Sequence, residues 1–352
     1  MKVMFIIPSM AGGGAERVIS ILANEFTKKG IETKIMMTAG KTSVYQLHPE
    51  VELLYAGEKT GGKLIKRFAR IFRMRKIFKC YRDHILIAFE PDAAFFAGIA
   101  KLGLSMKMIA SERNDPRSFG SSRVRKAAYG MTEKIVFQTR DAMECFQSGI
   151  QKKGKVIPNP ISSLLPEPYV GKRQKTVVSI GRMEEQKNHR LLLRAFKEFA
   201  ESYPEYTLHL YGKGALLEEL KQLAGMLNIE DKVIFEGFHK DVLQRVADAG
   251  MYVLSSDYEG ISNSLLEAMA IGLPVISTDC PCGGSRLCIQ NEINGLLVPV
   301  ADEKALATAM KRIAQSEELG NQLSSEAVKV RSTFSVEQIV SEWLDVLNET
   351  KQ

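Results

Sequence analysis

Glu259 and Glu267 are separated by seven residues, Gly260-Ile261-Ser262-Asn263-Ser264-Leu265-Leu266. Asn263 or Ser262 can cap a helix beginning near residue 264. Glu259 then lies in the loop before the cap, and Glu267 lies one turn into the helix. The exposed amides of residues 262–265 and the helix dipole favour an anion, and carboxylates accept hydrogen bonds from hydroxyl groups. An anion site with one carboxylate on each side suits a phosphorylated polyol such as a sugar nucleotide. The plainer alternative makes Glu267 a first-turn acid stabilised by the dipole, at a few tenths of a kcal/mol.

A second group of candidates is Gly181-Arg182 with Lys187. Two cations five positions apart at the end of an apolar run can converge on one anion, Arg as a bidentate fork and Lys as a point charge. The alternative is a solvated loop. A third group is the run Gly12-Gly13-Gly14-Ala15-Glu16-Arg17 after the apolar stretch Val3-Met4-Phe5-Ile6-Ile7. Glycines at a helix start let amides approach a phosphate, but they also make ordinary tight turns. The spacing is not that of a dinucleotide fingerprint. The acid some twenty residues on, Glu32, falls at the start of the next strand, where it cannot serve a ribose.

The elements that must hold these residues follow from periodicity. Short Val/Ile-rich runs at 2–8, 33–38, 51–56, 84–89, 107–111, 134–138 and 155–158 alternate with helical patterns. After the prolines 158, 160, 166 and 168 the alternation restarts at 176–181, 207–212, 233–236, 251–255, 274–278 and 295–299. Intervening helices are expected at 15–29, 140–148, 189–202, 215–227 and 263–271. Strand–helix alternation implies parallel sheets with right-handed crossovers. The fold expected is α/β: two doubly wound Rossmann-like domains, residues 1–165 and 170–334, with a cleft between them. A C-terminal helix, 335–352, is expected to return to the first domain.

The 352 residues, 45% apolar and 25% charged, exclude a disordered or collagen-like chain. The N-terminal apolar run is too short for a signal peptide, so the five cysteines are expected as thiols in the cytoplasm. Residues 1–170 hold 28 Lys and Arg against 15 Asp and Glu, whereas the remainder holds 20 against 26. One half is basic and the other mildly acidic, which suggests different partners.

Gly181-Arg182 with Lys187, and Glu259 with Glu267, resemble the retaining glycosyltransferases of family 4. Gly12-Gly13-Gly14-Ala15-Glu16-Arg17 is similar to members that build bacterial surface polysaccharides. The resemblance runs from that loop to Gly295-Leu296-Leu297-Val298-Pro299. It implies the GT-B architecture, no metal or other cofactor, and a nucleotide-diphosphate sugar as donor, with uridine favoured over guanosine. It further implies that Arg182 and Lys187 neutralise the donor diphosphate and that Glu259 binds the donor sugar near the reacting face. Glu267 would take the ribose hydroxyls. Amides near Asn263, Ser264 and Leu265 would hold the distal phosphate, with Gly13 and Gly14, and Phe238 would lie near the base. Many relatives carry a His at the end of the fifth strand. Here the run is Ser111-Glu112-Arg113-Asn114-Asp115-Pro116, and Glu112 or Asn114 is the candidate for that contact with acceptor or sugar.

Residues 63–82 contain nine Lys or Arg and no acid, with Leu64, Ile65, Phe68, Ile71, Phe72 and Phe78 at helical spacing. A basic amphipathic helix of this kind can lie on anionic lipid. It can also be a crossover helix with solvated cations. No nucleic-acid motif accompanies it. With the family resemblance it suggests a lipid-linked saccharide acceptor at the inner face of the cell membrane. Cys280-Pro281-Cys282 lacks the two-residue gap of a zinc knuckle and is read as structural. The leading function is therefore transfer of a hexose or N-acetylhexosamine from a UDP-sugar to a lipid-linked saccharide. The competing readings are a phosphorylase or epimerase relative, and a non-catalytic sugar-nucleotide or membrane-binding protein of a polysaccharide assembly complex.

Overall fold

The computed structural model describes residues 1–57, 65–118, 123–162 and 164–351, together with the backbone of residues 63, 64 and 122. The chain divides into two compact units. One comprises Met1–Pro160 with Val336–Gln352, and the other Ile161–Ser335.

The first unit is built on seven strands: β1 (Lys2–Ile7), β2 (Glu32–Met37), β3 (Glu52–Tyr55), β4 (Ile85–Phe89), β5 (Met108–Ser111), β6 (Lys134–Phe137) and β7 (Gly154–Val156). Their order is β3-β2-β1-β4-β5-β6-β7, and every pairing is parallel. The second unit has β8 (Thr176–Ile180), β9 (Thr207–Tyr211), β10 (Val233–Gly237), β11 (Met251–Leu254), β12 (Val275–Thr278) and β13 (Leu296–Val298). Their order is β10-β9-β8-β11-β12-β13, again all parallel. In each sheet the order reverses beside the first strand, at β1/β4 and at β8/β11. Ligands of doubly wound folds bind outside the carboxyl ends of the strands at such a point.

Strands buried on both faces read as unbroken apolar runs, which is why the periodicity located them. Val3, Met4, Phe5 and Ile6 of β1 are fully buried, as are Met251, Tyr252 and Val253 of β11. The helix Val336–Lys351 is part of the first unit, where Val336, Ile339, Val340, Trp343, Val346 and Leu347 join the core of β1, β4 and the helix Gly14–Lys28. Trp343 stacks on Phe89, ring centroids 6.0 Å apart.

One expected helix is broken. Residues 140–148 form two short helices, Arg140–Glu144 and Ser148–Gln151. Thr139 caps the first by accepting from the Ala142 amide. Phe146 leaves the helical path to pack its ring against Tyr129 and Phe137, at 5.5 and 5.4 Å between centroids. Burying that ring outweighs continuing a weak helix.

Candidate active site

In the second unit the loop after β8 and the loop after β11 are tied together. Asn188, in the left-handed region at φ 42°, accepts from the Leu191 amide and so caps the helix His189–Ser202. Its amide group donates to Asp257 Oδ1 at 2.7 Å. Gln186 donates to the Tyr258 carbonyl at 3.0 Å, and Ser255 Oγ donates to the Lys187 carbonyl at 2.9 Å. These bonds fix where Lys187 and Glu259 emerge. Lys187 Nζ meets Glu259 Oε1 at 2.6 Å, and Ser256 Oγ donates to the same oxygen at 2.9 Å. Both side chains of the ion pair are largely buried, at 15% and 9% exposure.

Two glycines make this arrangement possible. The Lys187 stem crosses Gly181 so closely that an added Cβ would lie 3.0 Å from Lys187 Cε. Gly284 approaches the Gly260 carbonyl inside any distance a Cβ would allow, so the helix Gly284–Cys288 braces the loop that carries Glu259. Beneath them, Thr278 Oγ1 donates to the Ser256 carbonyl at 2.6 Å and the Cys280 thiol does so at 3.2 Å. Burial pushes that thiol up to about 12, so it is an inert packing group.

The helix Asn263–Ala270 follows, with Ser262 in the capping position. The expected side-chain cap is not made. Ser262 Oγ instead lies 3.1 Å from Ser264 Oγ, which in turn lies 2.9 Å from the buried Tyr252 hydroxyl. Glu267, on this helix, is buried at 6% exposure. Arg182 stands apart from the ion pair: its side chain is 64% exposed and paired with Glu184 at 3.1 Å. The two cations expected to converge therefore have different partners here. Phe238 stands just past the edge strand β10 and is 57% exposed.

In the first unit, Gly13 caps the helix Gly14–Lys28 through its backbone, and Tyr45 donates to its carbonyl at 2.8 Å. The Glu16 carboxylate lies over Gly13, in the place a Cβ would take. The helix start that the sequence offered to a phosphate thus has a carboxylate of its own beside it. At the end of β5, Glu112 is sealed in the interior: Arg125 Nε and the Tyr129 hydroxyl donate to its Oε2 at 2.6 and 2.7 Å. Burial pushes its carboxyl above the usual range while Arg125 beside it pulls the other way. Both of its strong partners are internal, which leaves Glu112 in a supporting position. Asn114 is half-buried and accepts from the Asp115 amide at 2.9 Å.

Sequence reasoning passed over two residues. Arg113 lies with its guanidinium 4.7 Å from the centre of the Phe89 ring. His189, the first residue of its helix, is 2% exposed, and burial lowers it to about 4 with help from Lys187. Arg113 lies past the end of β5, where strand alternation no longer tells which way a side chain points, and a histidine at a helix start is ordinary, so neither gave a sequence signal.

Comparison with known proteins gives these loops a context. Residues 166–330 match the family model for glycosyl transferases group 1. An uncharacterised glycosyltransferase of Haemophilus influenzae is 28% identical over 97% of this chain and 98% of its own. A Campylobacter jejuni α-1,4-N-acetyl-D-galactosaminyltransferase, whose substrate is a GalNAc-containing saccharide on diphospho-undecaprenol, is 27% identical over 100% and 99%. Among solved structures, HepE of Anabaena in complex with UDP-glucose superposes with a TM-score of 0.83 at 18% identity, over 99% of this chain and 100% of its own. Sheet topology and the structural likeness agree on the fold: the chain has the GT-B fold, and its residues 166–330 match the family model for glycosyl transferases group 1.

Proposed function

We propose that the protein is a retaining, metal-independent glycosyltransferase of family 4 that moves a hexose or N-acetylhexosamine from a UDP-sugar to a lipid-linked saccharide. The observation that carries this reading is the Lys187–Glu259 pair, 2.6 Å apart at the carboxyl ends of β8 and β11. A lysine already desolvated beside a sheet's switch point is preorganised for the charge that develops on a departing diphosphate. Lys187 neutralises that diphosphate, joined by Arg182, whose exposed side chain is free to turn from Glu184. Glu259, held by Ser256, accepts hydrogen bonds from the donor sugar. Glu267 takes the ribose, and the amides at Asn263, Ser264 and Leu265 hold phosphate oxygens. Phe238 serves the base. The bond from the anomeric carbon to the UDP oxygen breaks, the bond to the acceptor oxygen forms on the same face, and the acceptor proton passes to the departing phosphate. Electrostatics at Lys187 and Arg182 take the place of a metal.

The same reading places the protein on the inner face of the cell membrane. No helix among the described residues is long and apolar enough to span a bilayer. The helix Lys63–Cys80 turns Met74 and Phe78 into the core, while Ile65, Phe68 and Phe72 are 65%, 71% and 73% exposed. Helical spacing puts Lys76 and Lys79 on that outward face too. An exposed apolar stripe continued by cations fits an anionic lipid surface. Arg73 and Arg75 do not take part, because they donate to the carbonyls of Gly57, Ala100 and Leu102.

Thermal shift against UDP-, GDP- and ADP-sugars tests the donor assignment. One UDP-sugar is expected to stabilise the protein and to lose its effect in Lys187→Met. Stabilisation by a GDP- or ADP-sugar alone would overturn the base, and an unchanged response in Lys187→Met would overturn the site.

A further inference from the structure

Arg113 has a combination of features that packing alone does not account for. It lies two residues beyond β5, and its guanidinium covers Phe89, the last residue of β4, next to the order reversal of the first sheet. Nη2 donates to Asn159 Oδ1 at 2.8 Å, and Nη1 makes a longer bond of 3.3 Å to Ser111 Oγ. Nε is buried and has no partner. Among the described residues no carboxylate lies within ion-pair distance of it, and its neighbour Glu112 is taken up by Arg125 and Tyr129. Burial lowers Arg113 to about 9. The Glu112 carboxylate, spent on Arg125 and Tyr129, offsets this only in part; a desolvated cation without an ion-pair partner is unfavourable, and structural arginines are normally paired.

Asn159 Oδ1 also accepts from Gln138 Nε2 at 2.7 Å, so it stays satisfied without Arg113. The fold therefore loses no obligatory partner if the guanidinium is removed. What the arrangement lacks is an anion.

We propose that Arg113 is a binding residue for an oxyanion of the acceptor, a phosphate of its carrier or a carboxylate on its sugar. The oxyanion accepts from the vacant Nε–H while the Phe89 face and Asn159 hold the guanidinium plane in place. That the anion belongs to an acceptor rests on the glycosyltransferase reading above; that an anion binds here does not. The residue gives the first unit a specificity element of its own, separate from Lys187 and Arg182 in the second.

The test uses the full chain carrying Arg182→Gln and Lys187→Gln, which silences the other cationic site. Line broadening of inorganic pyrophosphate, followed by phosphorus NMR, and of D-glucuronate, followed by proton NMR, reports binding; D-glucose is the neutral control. The expected result is broadening of one anion and not of glucose, abolished by Arg113→Met and by Arg113→Gln and partly kept by Arg113→Lys. Broadening of pyrophosphate assigns the phosphate, and broadening of glucuronate the carboxylate. No broadening of either, or equal broadening in Arg113→Met, overturns the proposal. Arg113→Met should also melt at or above the parent temperature, since it removes an unpaired buried charge. A fall of more than about 5 °C would make Arg113 a structural residue and overturn the proposal as well. If the glycosyltransferase reading fails instead, the wild-type chain transfers no sugar while the broadening remains.

Discussion

At the scale of single residues, Lys187 and Glu259 depend on each other, and the substitutions that test them must keep shape while changing charge. Glu259→Gln retains an oxygen for Ser256 and Lys187, and Lys187→Met retains the stem that crosses Gly181. Each is expected to lower kcat by about 10²- to 10³-fold, the loss typical of one preorganised electrostatic contact, and to lower the melting temperature as well, because the partner's largely buried charge is left unpaired. Near-normal turnover in a well-folded variant would remove that residue from the site. His189 gives a prediction of a different kind. Its folded form resists protonation down to about 4, whereas the unfolded chain takes up the proton near 6.5. The unfolded state then binds more protons between those values, so stability is complete above pH 6.5 and falls as the pH drops toward 4. The loss is roughly 3 kcal/mol. Denaturant unfolding at pH 7.5 and 4.5 should show it, and His189→Gln should flatten that part of the slope.

At the scale of elements, the strands were the most legible feature because they are buried on both faces and enriched in Val and Ile. All thirteen lie within two residues of the runs that announced them. Helices were legible where an apolar stripe met a start signal, as in His189–Ser202, and illegible where a tertiary contact decided the matter, as at Phe146. In the candidate site the sequence brought out Lys187 and Glu259 through their places at strand ends, and the structure joins them. The seal around Glu112 was not legible, because it depends on Arg125 and Tyr129 arriving from a separate helix. The spare valence of Arg113 was hidden for a related reason, since only the folded chain shows which donors go unused. The helix Lys63–Cys80 was read as basic and amphipathic, but its two opposed apolar sides appear only when Met74 and Phe78 are seen to be inward. Phe68→Ser with Phe72→Ser should therefore weaken binding to anionic liposomes about tenfold or more, given about 1.5–3 kcal/mol for each ring transferred, and leave the melting temperature unchanged. Equal binding would make the helix a crossover and nothing else. By contrast Trp343→Ala, which empties a fully buried site beside Phe89, should destabilise the first unit by about 3–5 kcal/mol in urea unfolding.

At the scale of the molecule, each of the two units carries a sheet whose order reverses next to its first strand, and each has its own cationic residue near that point. The charge is unequal as well: the first unit holds 29 Lys and Arg against 18 Asp and Glu. This division suits a basic unit that meets an anionic acceptor or membrane and a second unit that holds the donor. The central claim is retaining transfer from a UDP-sugar without a metal, driven by Lys187 and Glu259. The most direct measurement is turnover of a UDP-sugar panel on a lipid-diphosphate saccharide in excess EDTA, with the anomeric configuration of the product read by NMR. An α-linked product is expected from an α-configured donor, at full rate in EDTA, with near-complete loss in Glu259→Gln and Lys187→Met. A β-linked product, activity that requires a divalent cation, or unimpaired transfer by both variants would contradict it.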